Sequence, residues 1–357
     1  MTTPSGEAAP YPRLIVDTGA ISRNYARLQE MTAGAEVAAV VKADAYGLGA
    51  ATIAPVLLHA GARTFFVANA HEGEVVRAAV GGEARIFVLH GFWSTDVEAI
   101  ARSSLIPIIN TSEQLGDWLA GPSGPYALHV DTGMNRLGIP MSELGSVADL
   151  AGKRQPELVM SHFACADEPA NAFNTKQIER FARLRAAFPG VPTSWANSAG
   201  CMLEAPAHGD LVRPGIALYG GAPRATEANP FESAAMIETP ILQLRTARSG
   251  ESAGYGATWT ASADRRLAIV ALGYADGMFR AAQNTGFGRI GDVKVPIAGR
   301  VSMDLITLDV TEAGAAAKPG EIVRFLGPDL DAFAAASGTL AYEVLTRLGP
   351  RLERVYV

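Results

Sequence analysis

The chain has 357 residues, of which 48% are hydrophobic and 18% charged, a balance typical of globular proteins with a buried core. The net charge of −6 argues against nucleic acid or an acidic membrane surface as partner and suits a small charged metabolite. The only two cysteines, Cys165 and Cys201, cannot form a disulfide framework and lack zinc-ligand spacing, so we predict no metal site. No secretion signal or membrane-spanning run is recognisable, and we expect a cytoplasmic protein.

The first two thirds of the chain alternate short apolar runs with helical stretches. A loose terminus (1–12) and a strand candidate (13–17) precede eight apolar runs: VAAVV (37–41), TFFVAN (64–69), RIFVLH (85–90), LIPIIN (105–110), YALHVD (126–131), ELVMSHF (157–163), PTSWAN (192–197) and LVRPGIALYG (211–220). Candidate helices between them include 71–80, 112–120 and 171–188. Continuous apolar strands that alternate with helices are typical of parallel strands buried on both faces.

Eight such units predict an α/β fold of the (β/α)8 TIM-barrel type. A doubly wound open sheet is the alternative, although no G-x-G-x-x-G motif favours a dinucleotide-binding version of it. After about residue 235 the pattern changes to short β-type runs separated by Gly, Pro and Asp, with helical stretches nearly absent before 339–348. We therefore predict a barrel domain at 13–235 and a mainly β C-terminal domain at 236–357, with residues 1–17 as a candidate to pack on the latter.

Lys42 directly follows the first apolar run, at the barrel face where active sites gather. Taken alone, a lysine in this place is more often a solvated surface residue than a functional amine. Ser198, after the seventh run, and Gly215 with Ile216, near the end of the eighth strand, stand where many barrels bind phosphate through backbone N–H groups. A desolvated lysine beside a phosphate site indicates a phosphorylated aldehyde cofactor, and pyridoxal phosphate fits.

The motifs at these positions resemble those of the bacterial alanine racemases over nearly the whole chain. In chain order they are VVKADAYGLGA, HVDTGMNRLG, SHFACADE, ANSAG, VRPGIALYG, GYGATW, GYADG and GRVSMD. The resemblance implies a barrel followed by a β domain and a pyridoxal-phosphate-dependent isomerase that interconverts L- and D-alanine, and so forms D-alanine. It also implies a homodimer in which the β domain of each subunit completes the active site of its partner.

The resemblance further implies two catalytic bases. Lys42 would hold the cofactor as a Schiff base and act as the base facing D-alanine, while the partner's Tyr255 would face L-alanine. Racemisation needs bases on both faces of a planar carbanion, because a single base tends to return the proton to its original face. A tyrosine needs activation to act as a base, and His162 is the family's candidate neighbour.

Arg213 would point at the pyridine nitrogen, where a guanidinium cannot accept the nitrogen's proton and disfavours protonation. Its expected effect is a shorter-lived carbanion that suppresses transamination and decarboxylation. The other implied residues are Tyr46, Ser198, Gly215 and Ile216 at the phosphate, Arg136 at the phenolic oxygen and the substrate carboxylate, the partner's Met303 at the substrate, Met134 and Asp304 as further substrate candidates, and Tyr274 at the entrance.

Four positions depart from the commonest family pattern. His129 stands where many relatives have a lysine that becomes carbamylated and pairs with Arg136, and Ser194 stands where some relatives place a relay histidine between Arg213 and His162. Ser302 and Pro350 replace a frequent cysteine and a tyrosine. None of the four is Lys42 or Tyr255.

Two other functions remain open at this point. A broader racemase acting on serine or larger amino acids would share these motifs, whereas decarboxylases of related architecture fit them less well. A non-catalytic pyridoxal phosphate-binding protein could share the barrel and its lysine. Tyr255 and the predicted second domain argue against such a binding protein.

Overall fold

The computed structural model describes residues 11–32, 34–122 and 124–357, so the predicted loose terminus lies outside it up to residue 10. The chain divides into two compact units. The barrel unit is Ile21–Phe231, and the β unit combines the described residues up to Ala20 with Glu232–Val357. Within the described ranges, no helix is long and apolar enough to cross a membrane.

The strands of the barrel unit come after β1 (Arg13–Val16), which belongs to the β unit. They are β2 (Glu36–Val37), β3 (Ala39–Val40), β4 (Thr64–Val67), β5 (Arg85–Val88), β6 (Ile106–Ile109), β7 (Ala127–Asp131), β8 (Ile139–Pro140), β9 (Leu158–Met160), β10 (Thr193–Ser194) and β11 (Leu211–Val212). Seven of them pair in parallel in the order β10-β9-β7-β6-β5-β4-β3. All residues of β4 and β6 are buried, as expected of apolar runs without alternation.

Backbone hydrogen bonds join the two ends of this sheet. Strand β11 pairs in parallel with β2, and the N–H of Val40 donates to the carbonyl of Pro214 (3.1 Å). The N–H of Arg213 donates to the carbonyl of Ala196 (2.9 Å), which links the seventh and eighth predicted runs. The predicted TIM-type barrel is confirmed, and its strands end where Lys42 and the other candidate residues begin.

The helices of the barrel unit are α1 (Thr18–Met31), which starts in the β unit, α2 (Lys42–Tyr46), α3 (Ala50–His59), α4 (Ala70–Val80), α5 (Val97–Arg102), α6 (Ser112–Ala120), α7 (Leu144–Ala151) and α8 (Ala172–Ala187). The predicted helices at 71–80, 112–120 and 171–188 are α4, α6 and α8. Each begins after a capping side chain, Asn69, Thr111 or Asn171, that accepts a backbone N–H of the first turn.

The β unit contains strands β12 (Ala235–Ala247), β13 (Ser252–Ala253), β14 (Trp259–Thr260), β15 (Arg265–Val270), β16 (Phe287–Ile290), β17 (Val293–Pro296), β18 (Ile306–Asp309), β19 (Ile322–Leu326) and β20 (Glu353–Tyr356), with helices α9 (Leu330–Ala336) and α10 (Ala341–Thr346). The main sheet has the order β17-β16-β19-β12-β1-β20, and β15 pairs with both β12 and β18. The predicted mainly β character of this part is confirmed.

Strand β12 organises the β unit because both halves of the sheet pair with it. Its first half pairs with β1 and β19, and after an irregularity between Ile241 and Gln243 its second half pairs with β15. Among the described residues of this unit, α9 is the one α-helix between 236 and 339, where helices were expected to be nearly absent, and α10 lies within the predicted 339–348. Helix α9 has only seven residues, with Leu330 and Phe333 buried, and is too short to show a helical period in the sequence.

Candidate active site

Lys42 begins a turn whose backbone is left-handed. The φ angles of Ala43, Asp44, Ala45 and Tyr46 lie between 52° and 56°, although none of these residues is glycine. Left-handed backbone costs an L-residue roughly 1–2 kcal/mol, so such a turn persists only where its surroundings hold it. Lys42, the first polar residue after β3, therefore stands at the start of a strained segment.

Two carboxylates hold this turn. Glu72 of α4 accepts the N–H of Ala43 (2.9 Å) and the N–H of Ala68 (2.8 Å), which links the ends of β3 and β4. Asp44 accepts the N–H of Ala50 (2.7 Å) and so anchors the turn to the start of α3. Glu72 was not among the predicted site residues, although Asn69 followed three residues later by Glu72 is the pattern of a capping box.

Lys42 is half-buried and lies among charged groups. Burial lowers the pKa of its amine, Arg136 and Arg213 lower this pKa further, and Glu72 raises it. A larger share of the amine is therefore neutral near neutral pH than in an exposed lysine. A neutral amine is the form that attacks a carbonyl carbon.

Arg213 is a buried cation, with 4% of its surface exposed. Its guanidinium donates to the carbonyl of Ser161 (2.6 Å), to Nδ1 of His162 (3.2 Å) and to Oγ of Ser194. Burial lowers the pKa of Arg213 to about 9, so the group stays protonated at neutral pH. Three hydrogen bonds at the ends of neighbouring strands thus compensate the buried charge.

His162 is neutral. Burial and then Arg213 lower its pKa well below the ordinary histidine value. Because a guanidinium only donates, Nδ1 of His162 accepts from Arg213, while Nε2 faces the side-chain amide nitrogen of Asn197 at 3.4 Å. Arg213 reaches His162 directly, so Ser194 is no relay between them; its hydroxyl donates to the carbonyl of Leu211 (2.6 Å).

His129 is a second buried neutral imidazole. The side-chain amide of Asn110 donates to the carbonyls of Leu89 (3.0 Å) and Ile108 (2.7 Å), so its oxygen faces Nδ1 of His129 at 2.9 Å. Nδ1 therefore carries the proton, and Nε2 is left as an acceptor. Burial lowers the pKa of His129 to about 4, with a further lowering by Arg213.

The residues predicted to hold a phosphate lie together. Ser198 Oγ accepts the N–H groups of Gly215 (2.8 Å) and Ala217 (3.3 Å), and Ile216 begins a short 3-10 turn with its side chain fully buried. A Cβ at Gly215 would lie 2.1 Å from the hydroxyl oxygen of Tyr46. Only glycine fits there, so the backbone and the tyrosine hydroxyl can face the same small group.

Arg136 and Met134 lie on a loop that Asp131 organises. The carboxylate of Asp131 accepts the N–H groups of Gly133, Met134 and Asn135, each at 2.8 Å. This loop leaves the side chain of Arg136 exposed. Arg136 nevertheless contributes to the lowered pKa values of Lys42, His129 and His162, so its cation acts on the same group of side chains.

Tyr255 lies in the β unit with 71% of its surface exposed. It starts the turn Tyr255–Ala257, in which Gly256 has a φ of 74°. A Cβ at Gly256 would lie 2.7 Å from a guanidinium nitrogen of Arg300. Arg300, which was not among the predicted site residues, therefore packs against the turn that presents Tyr255.

Tyr274, Met303 and Asp304 lie on two joined loops of the same unit. The carbonyl of Met303 accepts the N–H of Ala275 (3.0 Å), and that of Ser302 accepts the N–H of Tyr274 (3.0 Å). Arg351 bridges Asp304 (2.7 Å) and the buried Asp276 (3.0 Å), and Asp276 accepts the N–H of Gly273 as a structural turn residue. This arrangement leaves Tyr274 and Met303 exposed, by 40% and 52%.

The neutral state of His129 makes stability depend on pH. The imidazole of the unfolded chain takes up a proton below about pH 6.5, whereas the folded one does so only near pH 4. Stability is therefore lost as pH falls between these values, and His129 alone accounts for about 2 kcal/mol between pH 7 and pH 5. We expect His129→Gln to reduce the pH dependence of the urea-unfolding free energy by about this amount.

The matched control for this measurement is His71→Gln, because His71 is exposed. This control should leave the difference in unfolding free energy between pH 7 and pH 5 unchanged. If His129→Gln keeps the wild-type difference, burial does not lower the pKa of His129 in the folded protein, which would contradict this prediction.

Comparison with known proteins shows the family of this chain. The family models for the N-terminal and C-terminal domains of alanine racemase match residues 16–223 and 234–356. A curated alanine racemase of Methylobacterium nodulans is 44% identical over 100% of this chain and 98% of its own length, and the biosynthetic enzyme of Agrobacterium fabrum is 43% identical over 99% and 96%. The crystal structure of the Bartonella henselae alanine racemase with covalently bound pyridoxal phosphate has a TM-score of 0.92 at 35% identity, covering 98% of this chain and 100% of that one. The chain belongs to the alanine racemase family.

Proposed function

We propose that this protein is a pyridoxal-phosphate-dependent alanine racemase, an isomerase that interconverts L- and D-alanine. The observation that carries the proposal is the half-buried Lys42 with a lowered pKa in the same barrel unit as the group of Tyr46, Ser198 and Gly215. Membership of the alanine racemase family supports the reaction and the substrate. The cytoplasmic location stays a prediction from the sequence.

The barrel residues fit the cofactor. Gly215 leaves space that any Cβ would fill, and this space is bordered by a tyrosine hydroxyl and by backbone that suit phosphate oxygens. Tyr46, Ser198, Gly215 and Ile216 would hold the phosphate, Lys42 the aldehyde carbon, Arg136 the phenolic oxygen and Arg213 the ring nitrogen. When bound, pyridoxal phosphate supplies an electron-withdrawing system that makes the α-proton of an attached amino acid acidic.

Two bases would move the α-proton. Lys42 would take it from, or return it to, the face of D-alanine, and the partner's Tyr255 would serve the face of L-alanine. The exposure of Tyr255 in the single chain supports this proposal, because its hydroxyl is available to a second subunit. The exposed Tyr274 and Met303 would approach the partner's active site together with Tyr255, Tyr274 at the entrance and Met303 at the substrate. We therefore propose a homodimer with shared active sites.

His162 would act on one of these bases, and Arg136 would act on the substrate. Arg213 holds Nδ1 of His162, and His162 would orient and activate the partner's tyrosine. Arg136 would bind the substrate carboxylate with its exposed guanidinium. Asp304 is bound to Arg351, which favours a role in shaping the loop of Met303 over direct contact with substrate.

Proton exchange in deuterated water tests the function. Full-length protein loaded with pyridoxal phosphate should convert L-alanine to an equal mixture of enantiomers, with deuterium at the α-carbon and no release of CO₂. An equal rate with serine would favour a broad racemase. Cofactor absorbance without any α-deuterium incorporation would contradict the proposal and indicate a binding protein.

Mixed dimers test whether active sites are shared. Lys42→Ala and Tyr255→Phe should each be nearly inactive alone. A mixed dimer contains one site with both residues intact, and random mixing makes half of the dimers mixed, so about one quarter of wild-type activity should return on unfolding and refolding the two variants together. No recovery beyond the separate variants would contradict a shared site.

Arg213→Glu tests the proposed restraint on side reactions. A carboxylate at the ring nitrogen would favour its protonation, so racemisation should slow by on the order of 100-fold and the transaminated fraction should rise. Arg213→Gln is the matched neutral variant, and it should slow racemisation with a smaller rise in side product. Unchanged product ratios in Arg213→Glu, measured by chromatography, would contradict the role of Arg213.

A further inference from the structure

Glu72 departs from the hydrogen bonding that its position predicts. In a capping box the acidic residue at the third helical position bonds back to the N–H of its own N-cap residue. Here the N-cap Asn69 accepts the N–H of Glu72 (3.0 Å), but Glu72 accepts the N–H of Ala68 with one oxygen and that of Ala43 with the other. The carboxylate thus accepts a backbone N–H from a residue 29 positions away, as well as one just before its own helix.

The bond to Ala43 falls on the residue that follows Lys42. Ala43 is the first of four left-handed residues, so this N–H is directed by a backbone conformation that the chain would not adopt unaided. A carboxylate that accepts a backbone N–H forms a charge-assisted hydrogen bond, about twice as strong as a neutral one. Glu72 therefore holds the backbone that aims the Lys42 side chain.

Glu72 also supplies negative charge beside a group of cations. The groups that act on the Lys42 amine are Arg136 and Arg213, which lower its pKa, and Glu72, which raises it. The neighbouring His162 is neutral, since its own pKa lies well below the ordinary value. Without Glu72, the amine would face the two guanidinium groups with nothing to offset them among the described groups that act on it.

We propose that Glu72 is a positioning residue for Lys42, which holds the left-handed turn and offsets the neighbouring cations. This inference rests on the proposed function of Lys42 and adds a residue of helix α4. Glu72 does not touch the reacting atoms; it acts through the backbone of Ala43 and through its charge. A shift of about 1 Å in a reacting group can cost on the order of 100-fold in rate, so a loosened turn should be visible in turnover.

Two substitutions separate the effect of the Glu72 hydrogen bonds from the effect of its charge. Glu72→Gln keeps the length of the side chain but removes the charge and can accept only one of the two N–H groups. Glu72→Asp keeps the charge but is one methylene too short to reach both. Both should lower kcat by about tenfold or more through the loosened turn, with a smaller change in KM.

The second measurement is the rate at which full-length apoprotein incorporates pyridoxal phosphate, followed by visible absorbance at a series of pH values. Incorporation needs the neutral Lys42 amine, so the rate rises with pH through the pKa of Lys42. Glu72→Gln should move the midpoint to lower pH, because the charge that raises this pKa is gone. Glu72→Asp should leave the midpoint near that of the wild type.

Matched controls lie on the same helix. Glu74→Gln removes a carboxylate that bonds to Arg102 (2.5 Å), and it should change neither kcat nor the midpoint. Asn69→Ala removes the N-cap and should cost about 1 kcal/mol of stability without moving the midpoint. A stability loss in Glu72→Gln is then distinguishable from a loss of positioning.

The outcomes distinguish the proposed role of Glu72 from the proposed function of Lys42. Wild-type kcat and midpoint in Glu72→Gln, or a midpoint that moves equally in Asn69→Ala, would overturn the role of Glu72. Lys42→Ala should abolish covalent incorporation of pyridoxal phosphate; normal incorporation in that variant would overturn the proposed function of Lys42, whatever Glu72 does.

Discussion

Arg213 brings a positive charge into the interior at the carboxyl end of the barrel, and neighbouring strand ends supply its partners. The cost of burying one ion is several kcal/mol unless hydrogen bonds replace its water. Ser161, His162 and Ser194 provide these bonds; Ser161 and His162 follow β9, and Ser194 ends β10. The charge is therefore compensated only when the barrel is closed, and the closed barrel places the cation where it lowers the pKa values of His162 and Lys42.

Lys42 lies next to a strained turn and among charged side chains. Its turn is left-handed over four residues, and carboxylates from Glu72 and Asp44 hold it to neighbouring elements. Strained backbone at a functional residue persists because the surrounding structure over-determines it. The same carboxylate of Glu72 offsets part of the positive charge around the amine. The protein thus keeps a lysine on a firmly held backbone and with a lowered pKa, which are two conditions for the proposed base and cofactor ligand.

Much of the fold was predictable because apolar runs without alternation directly report burial on both faces. The eight runs became barrel strands, and the helices with side-chain caps appeared where predicted. Helix α9 was missed because seven residues show no period. In the site, Gly215 and Ser198 were predictable from their place after strands. Glu72 was not, since its capping pattern gives no sign that one oxygen bonds to Ala43 on another strand end.

The sequence shows the alternation of strands and helices, the position of Lys42 after a buried strand and the motifs that the chain shares with its family. It does not show which side chains meet. Arg213 reaches His162 directly, so Ser194 is not a relay, and Asn110 sets the tautomer of His129. The physical reason is that these contacts join different strands, and their geometry depends on how the closed barrel directs each side chain, which no local pattern along the chain contains.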